Sequence, residues 1–214
     1  RQRQMCIRDR SDLSKLLNSR YDEIEELISR LYNDEKEAIG YAPTNPTLKA
    51  ALFLLYYNLM ESIIYSIFEM LFDEVVINCS NFGQLDHQLQ IQYKKYDKDG
   101  TMAENDLLKL DLSKYSGKIT LFSGNIDARA IRALLKDWGL EDDFHAVDEE
   151  KLHDIRNFRN VLAHGERAFK EVGKGYTLND MKKYGEATYN YLLQLVKIVN
   201  SYFSGKMYLA ANRI

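Results

Sequence analysis

Residues 47–78 form the longest apolar stretch of the chain, and residues 50–60 within it carry no charge at all. Such a segment lies either in a protein core or in a membrane. Asn58, Glu61, Ser62 and Glu69 interrupt it too often for a membrane span, which needs about twenty consecutive apolar residues. The stretch is therefore expected as a long helix buried on most sides, with no membrane as partner. Pro43 and Pro46 punctuate the connection before it, and Thr47 can cap it. Asn58 and Glu61, three residues apart, share a face of this helix where the surroundings are most apolar. They are either satisfied polar groups of the core or partners that support a site from behind.

Four more helices follow from apolar periodicity. Leu17, Tyr21, Ile24, Ile28 and Leu31 step by four, three, four and three, the stripe of a first helix running from Ser11 to near Ile39-Gly40. Ile131, Leu134, Leu135 and Trp138 make another stripe that stops at Gly139, with Asn125 or Asp127 as its cap. Asp148-Glu149-Glu150 place acids where a helix macrodipole favours them, and Leu152, Ile155, Phe158, Val161 and Leu162 continue inward until Gly165. Thr177-Leu178-Asn179-Asp180 opens a last helix, whose Met181, Tyr184, Tyr191, Leu195, Ile198 and Tyr202 run to Gly205. Residues 81–123 are polar and hold Gly83, Gly100 and Gly117, which reads as an irregular insertion with room for a short helix or strand. Residues 206–214 read as a C-terminal tail. With no alternation of the β type, the expected fold is an all-α bundle of about five helices, one domain over residues 11–205, with the insertion between its second and third long helices.

The first ten residues, RQRQMCIRDR, fit none of this. Back-translated, they resemble the adapter ending in the transposon mosaic end of sequencing libraries, so residues 1–10 are read as translated adapter and the true start as lying upstream of Ser11. They carry four Arg and one Asp, so the formal charge of −3 for all 214 residues becomes −6 without them. Of two cysteines only Cys79 remains, a small core residue beside Val75, Val76 and Ile77. That count excludes a Cys₄ zinc site and a disulfide scaffold. The chain also lacks a nucleophile elbow and a His-Glu-x-x-His helix, which argues against acyl transfer and metallohydrolysis. His87, His145 and His153 show no ligand spacing, and neither metal nor cofactor is expected.

One stretch concentrates chemistry: Leu152-His153-Asp154-Ile155-Arg156-Asn157-Phe158-Arg159-Asn160-Val161-Leu162-Ala163-His164-Gly165. Asn160 and His164 share a face, joined by Arg156 one turn earlier. Arg159 and His164 stand about 140° apart in an ideal helix. They meet on one phosphate only if the last turn unwinds or a second copy supplies one of them. A helix C-terminus favours a protonated imidazole, yet it repels phosphate and so calls for added cations. Residues 151–175 supply Lys151, Arg156, Arg159, Arg167, Lys170 and Lys174 against Asp154, Glu166 and Glu171. Arg156, Arg167, Lys170 and Lys174 are thus candidate substrate-binding residues. Alternatively, His164 only bonds the last carbonyls and Arg159 pairs with an acid. Gly173-Lys174-Gly175 reads as an anion-binding loop or as a simple turn.

Arg159-Asn160 followed by His164 resembles the Arg, four-to-six residues, His motif of the HEPN superfamily (higher eukaryotes and prokaryotes nucleotide-binding domain). Together with Leu55-Tyr56-Tyr57-Asn58-Leu59-Met60-Glu61-Ser62 and Ser123-Gly124-Asn125-Ile126-Asp127-Ala128-Arg129, it is similar to the stand-alone bacterial branch linked to restriction and phage-defence loci. The resemblance implies a cytoplasmic, metal-independent endoribonuclease of toxin or defence type. Its catalytic residues would be Arg159, which stabilises the phosphate, His164, which transfers protons, and Asn160, the polar residue after the Arg. Its partners would be RNA, a second copy completing a composite site, and an antitoxin or another defence component. A non-catalytic HEPN module binding nucleotide or RNA is the other reading.

Overall fold

The computed structural model describes residues 11–37, 45–79, 82–96, 125–140 and 148–212. These form seven α-helices and no strand: α1 Ser11–Glu37, α2 Pro46–Asn78, α3 His87–Tyr96, α4 Ala128–Asp137, α5 Glu149–Ala163, α6 Phe169–Lys174 and α7 Leu178–Ser204. The fold is all-α. Five of the seven are the helices expected from periodicity, and α3 and α6 are short additions. Residues 1–10, 97–124 and His145 lie outside the described residues, as does the expected end of α1 at Ile39-Gly40.

α2 is the axle of the bundle. Leu52, Phe53, Tyr56, Tyr57, Met60, Ile63, Ile64, Ile67, Phe68 and Leu71 have no exposed surface, and α1, α5, α6 and α7 all pack against it. Burial of one such side chain contributes roughly 1.5–3 kcal/mol. By length and composition alone α2 passes for a membrane span; here its apolar surface is largely taken up by neighbouring helices. One stripe stays open. Asn58, Tyr65, Glu69, Val76 and Ile77 are exposed, so Asn58 is a surface residue and not a polar group of the core. Glu61 is half-buried. The cap also differs from expectation: Asn45 caps α2 by accepting from the Thr47 backbone N–H at 3.0 Å. Pro46 then opens the helix, where its fixed φ fits and its missing N–H costs nothing.

The remaining ends follow the local chemistry. Asp127 caps α4 by accepting from the Ala130 N–H at 2.9 Å, and Thr177 with Asp180 forms a reciprocal capping box on α7. Gly139 ends α4 in the left-handed region at φ 71°, which only glycine adopts freely. Trp138 meets Phe68 and Phe72 of α2 and Tyr93 of α3 edge-on, so an aromatic cluster gives α3 its reason to dock. Cys79 is buried, and burial pushes its thiol up to about 11, away from thiolate reactivity.

α6 explains the Gly-Lys-Gly sequence. Gly173 is buried in that helix, and a Cβ there would sit 1.7 Å from the Pro46 carbonyl oxygen. It is a close-packing residue and not an anion-binding loop. The same junction holds Lys49, nearly buried, whose ammonium donates to the Tyr176 carbonyl. Residues 206–212 fold back on the bundle: the buried Tyr208 donates its hydroxyl to Glu74 Oε2 at 2.9 Å, and its carbonyl accepts from the Asp86 N–H at 2.8 Å.

Candidate phosphate-binding site at the end of α5

α5 is clamped on two sides. On one, Phe158 stacks on Phe53 at 4.5 Å between ring centroids, and the Tyr184 hydroxyl donates to Asp154 Oδ2 at 3.0 Å. On the other, its polar side chains converge on residues 125–127, just before α4. Arg156 pairs with Asp127, whose side chain is 7 % exposed, and donates to Asn157 Oδ1 at 3.1 Å. His153 Nδ1 lies 3.4 Å from the same carboxylate. Asn160 donates to Asn125 Oδ1 at 2.7 Å. Burial works to raise the Asp127 carboxyl, but the Ala130 N–H, Arg156 and His153 outweigh it and hold it below the usual carboxylate range.

Arg159 has different company. Its guanidinium lies over the Tyr57 ring, 4.8 Å from the centroid, and donates to Asn160 Oδ1 at 3.0 Å. Among the described residues no carboxylate comes within ion-pair distance of it, so the alternative in which Arg159 pairs with an acid finds no partner there. Tyr57 is itself fixed, since its hydroxyl accepts from the Ile126 N–H at 3.1 Å. Burial first, with Glu61 adding to it, pushes the Tyr57 hydroxyl up to about 12, against the opposing influence of the Ile126 N–H and Arg159. It therefore stays neutral at physiological pH, and an uncharged ring face suits a cation.

His164 is the C-cap of α5, exposed and without a side-chain hydrogen bond among the described residues. The last turn does not unwind. His164 N bonds Asn160 O at 2.9 Å, Gly165 N bonds Leu162 O at 3.2 Å and Glu166 N bonds Val161 O at 3.0 Å, with Gly165 left-handed at φ 68°. That is a complete Schellman closure. Arg159 thus lies against Tyr57 of α2, while His164 is exposed to solvent.

The three sequence segments singled out above thus meet in space, through Tyr57, through residues 125–127, and through Arg156, Arg159 and Asn160. The other candidates spread out. Arg167 is exposed and paired with Glu171 at 2.7 Å; Lys170 and Lys174 are exposed, with no carboxylate partner among the described residues. Glu61 stands beside the Tyr57 hydroxyl, behind the site, whereas Asn58 makes no polar contact there among the described residues. Tyr57, Asn125 and Asp127 were not legible as site residues. Their one signal was membership of the segments that carry the resemblance. Among the described residues no three His, Cys, Asp or Glu side chains gather to hold a metal ion.

In comparison with known families, residues 10–208 match the model described as HEPN_MAE_28990-like HEPN. No curated protein and no solved structure matches significantly.

Proposed function

The chain belongs to the HEPN_MAE_28990-like HEPN family, and from that premise we propose that it is a metal-independent endoribonuclease working as a homodimer in the cytoplasm, as a toxin or antiviral-defence effector. HEPN domains as a class bind RNA and dimerise. The observation that carries the reading is Arg159: a half-buried guanidinium held by a ring and an amide, with no carboxylate partner among the described residues to compensate its charge. In the proposed reaction the ribose 2′-oxygen attacks the adjacent phosphorus in line and the bond to the 5′-oxygen breaks. Arg159 stabilises the charge on the phosphoryl oxygens, and His164 of the second copy, about 140° from the Arg159 face of an ideal helix in its own chain, moves the proton between the 2′- and 5′-oxygens. Asn160 holds Arg159 in place. The products are a 2′,3′-cyclic phosphate and a 5′-hydroxyl.

The test is cleavage of several RNAs in EDTA by the parent, His164→Ala and Arg159→Ala. Cleavage by the parent alone, with all three proteins equally helical by circular dichroism, supports the proposal. No cleavage by the parent, or unchanged cleavage by His164→Ala, overturns it and leaves a binding module. Mixing the His164→Ala and Arg159→Ala proteins restores part of the activity if the site is shared between copies.

A further inference from the structure

The contacts around Arg159 close on themselves. Starting on α2, the Tyr57 ring carries the Arg159 guanidinium; Arg159 donates to Asn160; Asn160 donates to Asn125; and the peptide N–H next along from Asn125, that of Ile126, returns to the Tyr57 hydroxyl. Four side chains from α2, α5 and the segment before α4 make one circuit, and Tyr57 belongs to it twice, by its face and by its hydroxyl.

We propose that Tyr57 is the positioning residue of the site, fixing the guanidinium of Arg159 directly through its ring and indirectly through the Ile126, Asn125 and Asn160 chain. The inference rests on reading Arg159 as the phosphate-binding group. The physical case is one of entropy. An arginine side chain loses much of its rotamer freedom when ordered, and ordering it before substrate arrives removes that cost from phosphate binding. A carboxylate would order Arg159 too, but would neutralise it. The π face and the amide oxygen do so while leaving the charge in place, and Tyr57 has no exposed surface, so it contributes orientation without touching substrate.

A closed circuit makes a specific prediction: breaking it at two places costs little more than breaking it at one. The probe is the Nε–H resonance of Arg159 by NMR, assigned by its loss in Arg159→Lys, with affinity for a 2′-fluoro single-stranded RNA that cannot be cleaved as the second readout. In the parent the resonance is displaced by the Tyr57 ring current. Tyr57→Phe keeps the ring but releases Ile126 and, beside it, Glu61, and Asn125→Ala releases Asn160; each, at unchanged helicity by circular dichroism, shifts the resonance toward its free position and weakens RNA about fivefold, the factor for one hydrogen bond. The double variant matches either single one. An undisplaced resonance in the parent, or full additivity in the double variant, overturns the proposal. If the parent binds no RNA, the functional reading fails while the resonance still decides the role of Tyr57.

Discussion

Arg156 and Arg159 stand one turn apart on α5, and both are half-buried. Arg156 meets a buried carboxylate that is also a helix cap; Arg159 meets a ring and an amide. The first charge is consumed inside the protein, tying α5 to the start of α4. The second is held in position and left open. Residue type and local sequence do not separate the two, but the partners do: Arg156 is compensated by a carboxylate, whereas Arg159 has none among the described residues, which is what the proposed role of Arg159 builds on.

The widest difference is expected on deleting each side chain. Arg159→Ala should lower kcat for RNA cleavage by about 10²–10³-fold, the loss usual for one electrostatic group at a developing oxyanion, with little change in thermal melting. Arg156→Ala should do the reverse. Losing one partner of a buried pair typically costs 3–5 kcal/mol, and partial exposure of Arg156 reduces that to about 2 kcal/mol, read by denaturant unfolding. If Arg156→Ala silences cleavage at unchanged stability, the comparison collapses and both arginines serve the substrate.

Acid titration sharpens the same contrast. Because the Asp127 carboxyl is held below its ordinary value of 3.8, its stabilisation is present in full above that value and is lost as the pH falls through the lower, folded-state pKa. Melting temperatures of the parent and Asp127→Asn should therefore differ at neutral pH and converge below pH 3.8. A gap that persists in acid would mean that Asp127 acts by shape and not by charge. Gly165→Ala is a smaller step: the left-handed residue costs about 1 kcal/mol with a Cβ, and the Schellman closure that sets His164 loosens, so cleavage should fall more than stability.

Much of the scaffold was legible because its signals are local. The stripe of Ile24, Ile28 and Leu31, the box at Thr177 and the stops at Gly139 and Gly165 depend on neighbours within one turn. What failed depends on contacts across the chain. Thr47 looked like a cap until Pro46 took the first helical position, and Gly173 looked like a loop because its clearance to the Pro46 carbonyl is a tertiary distance. Asn58 seemed buried because the charge-free run hides the open stripe of α2, where Leu55 is only half covered and Tyr65 is exposed. At the site, the motif pointed to Arg159, Asn160 and His164. No pattern on α5 could show that Arg159 has no acidic partner among the described residues, since the ring beneath it is that of Tyr57 on α2 and the Asn160 amide that holds it is itself tied to Asn125.

The smallest effects belong to the outlying cations, and they extend the contrast beyond α5. Arg167 is paired with Glu171 one turn on, an exposed pair worth about 0–0.5 kcal/mol, whereas Lys170 and Lys174 have no such partner among the described residues. None of the three should matter for folding. If RNA runs along this surface, each lysine that touches a phosphate releases a counterion, and its loss should reduce the slope of log affinity against log salt by about 0.7 for a single strand. Lys170→Gln and Lys174→Gln should each show that reduction. Arg167→Gln should show less, because its charge is already shared with Glu171. Equal slopes for all three would mean that exposure alone decides which cations RNA meets, confining the distinction between compensated and open charge to the ordered surroundings of Arg156 and Arg159.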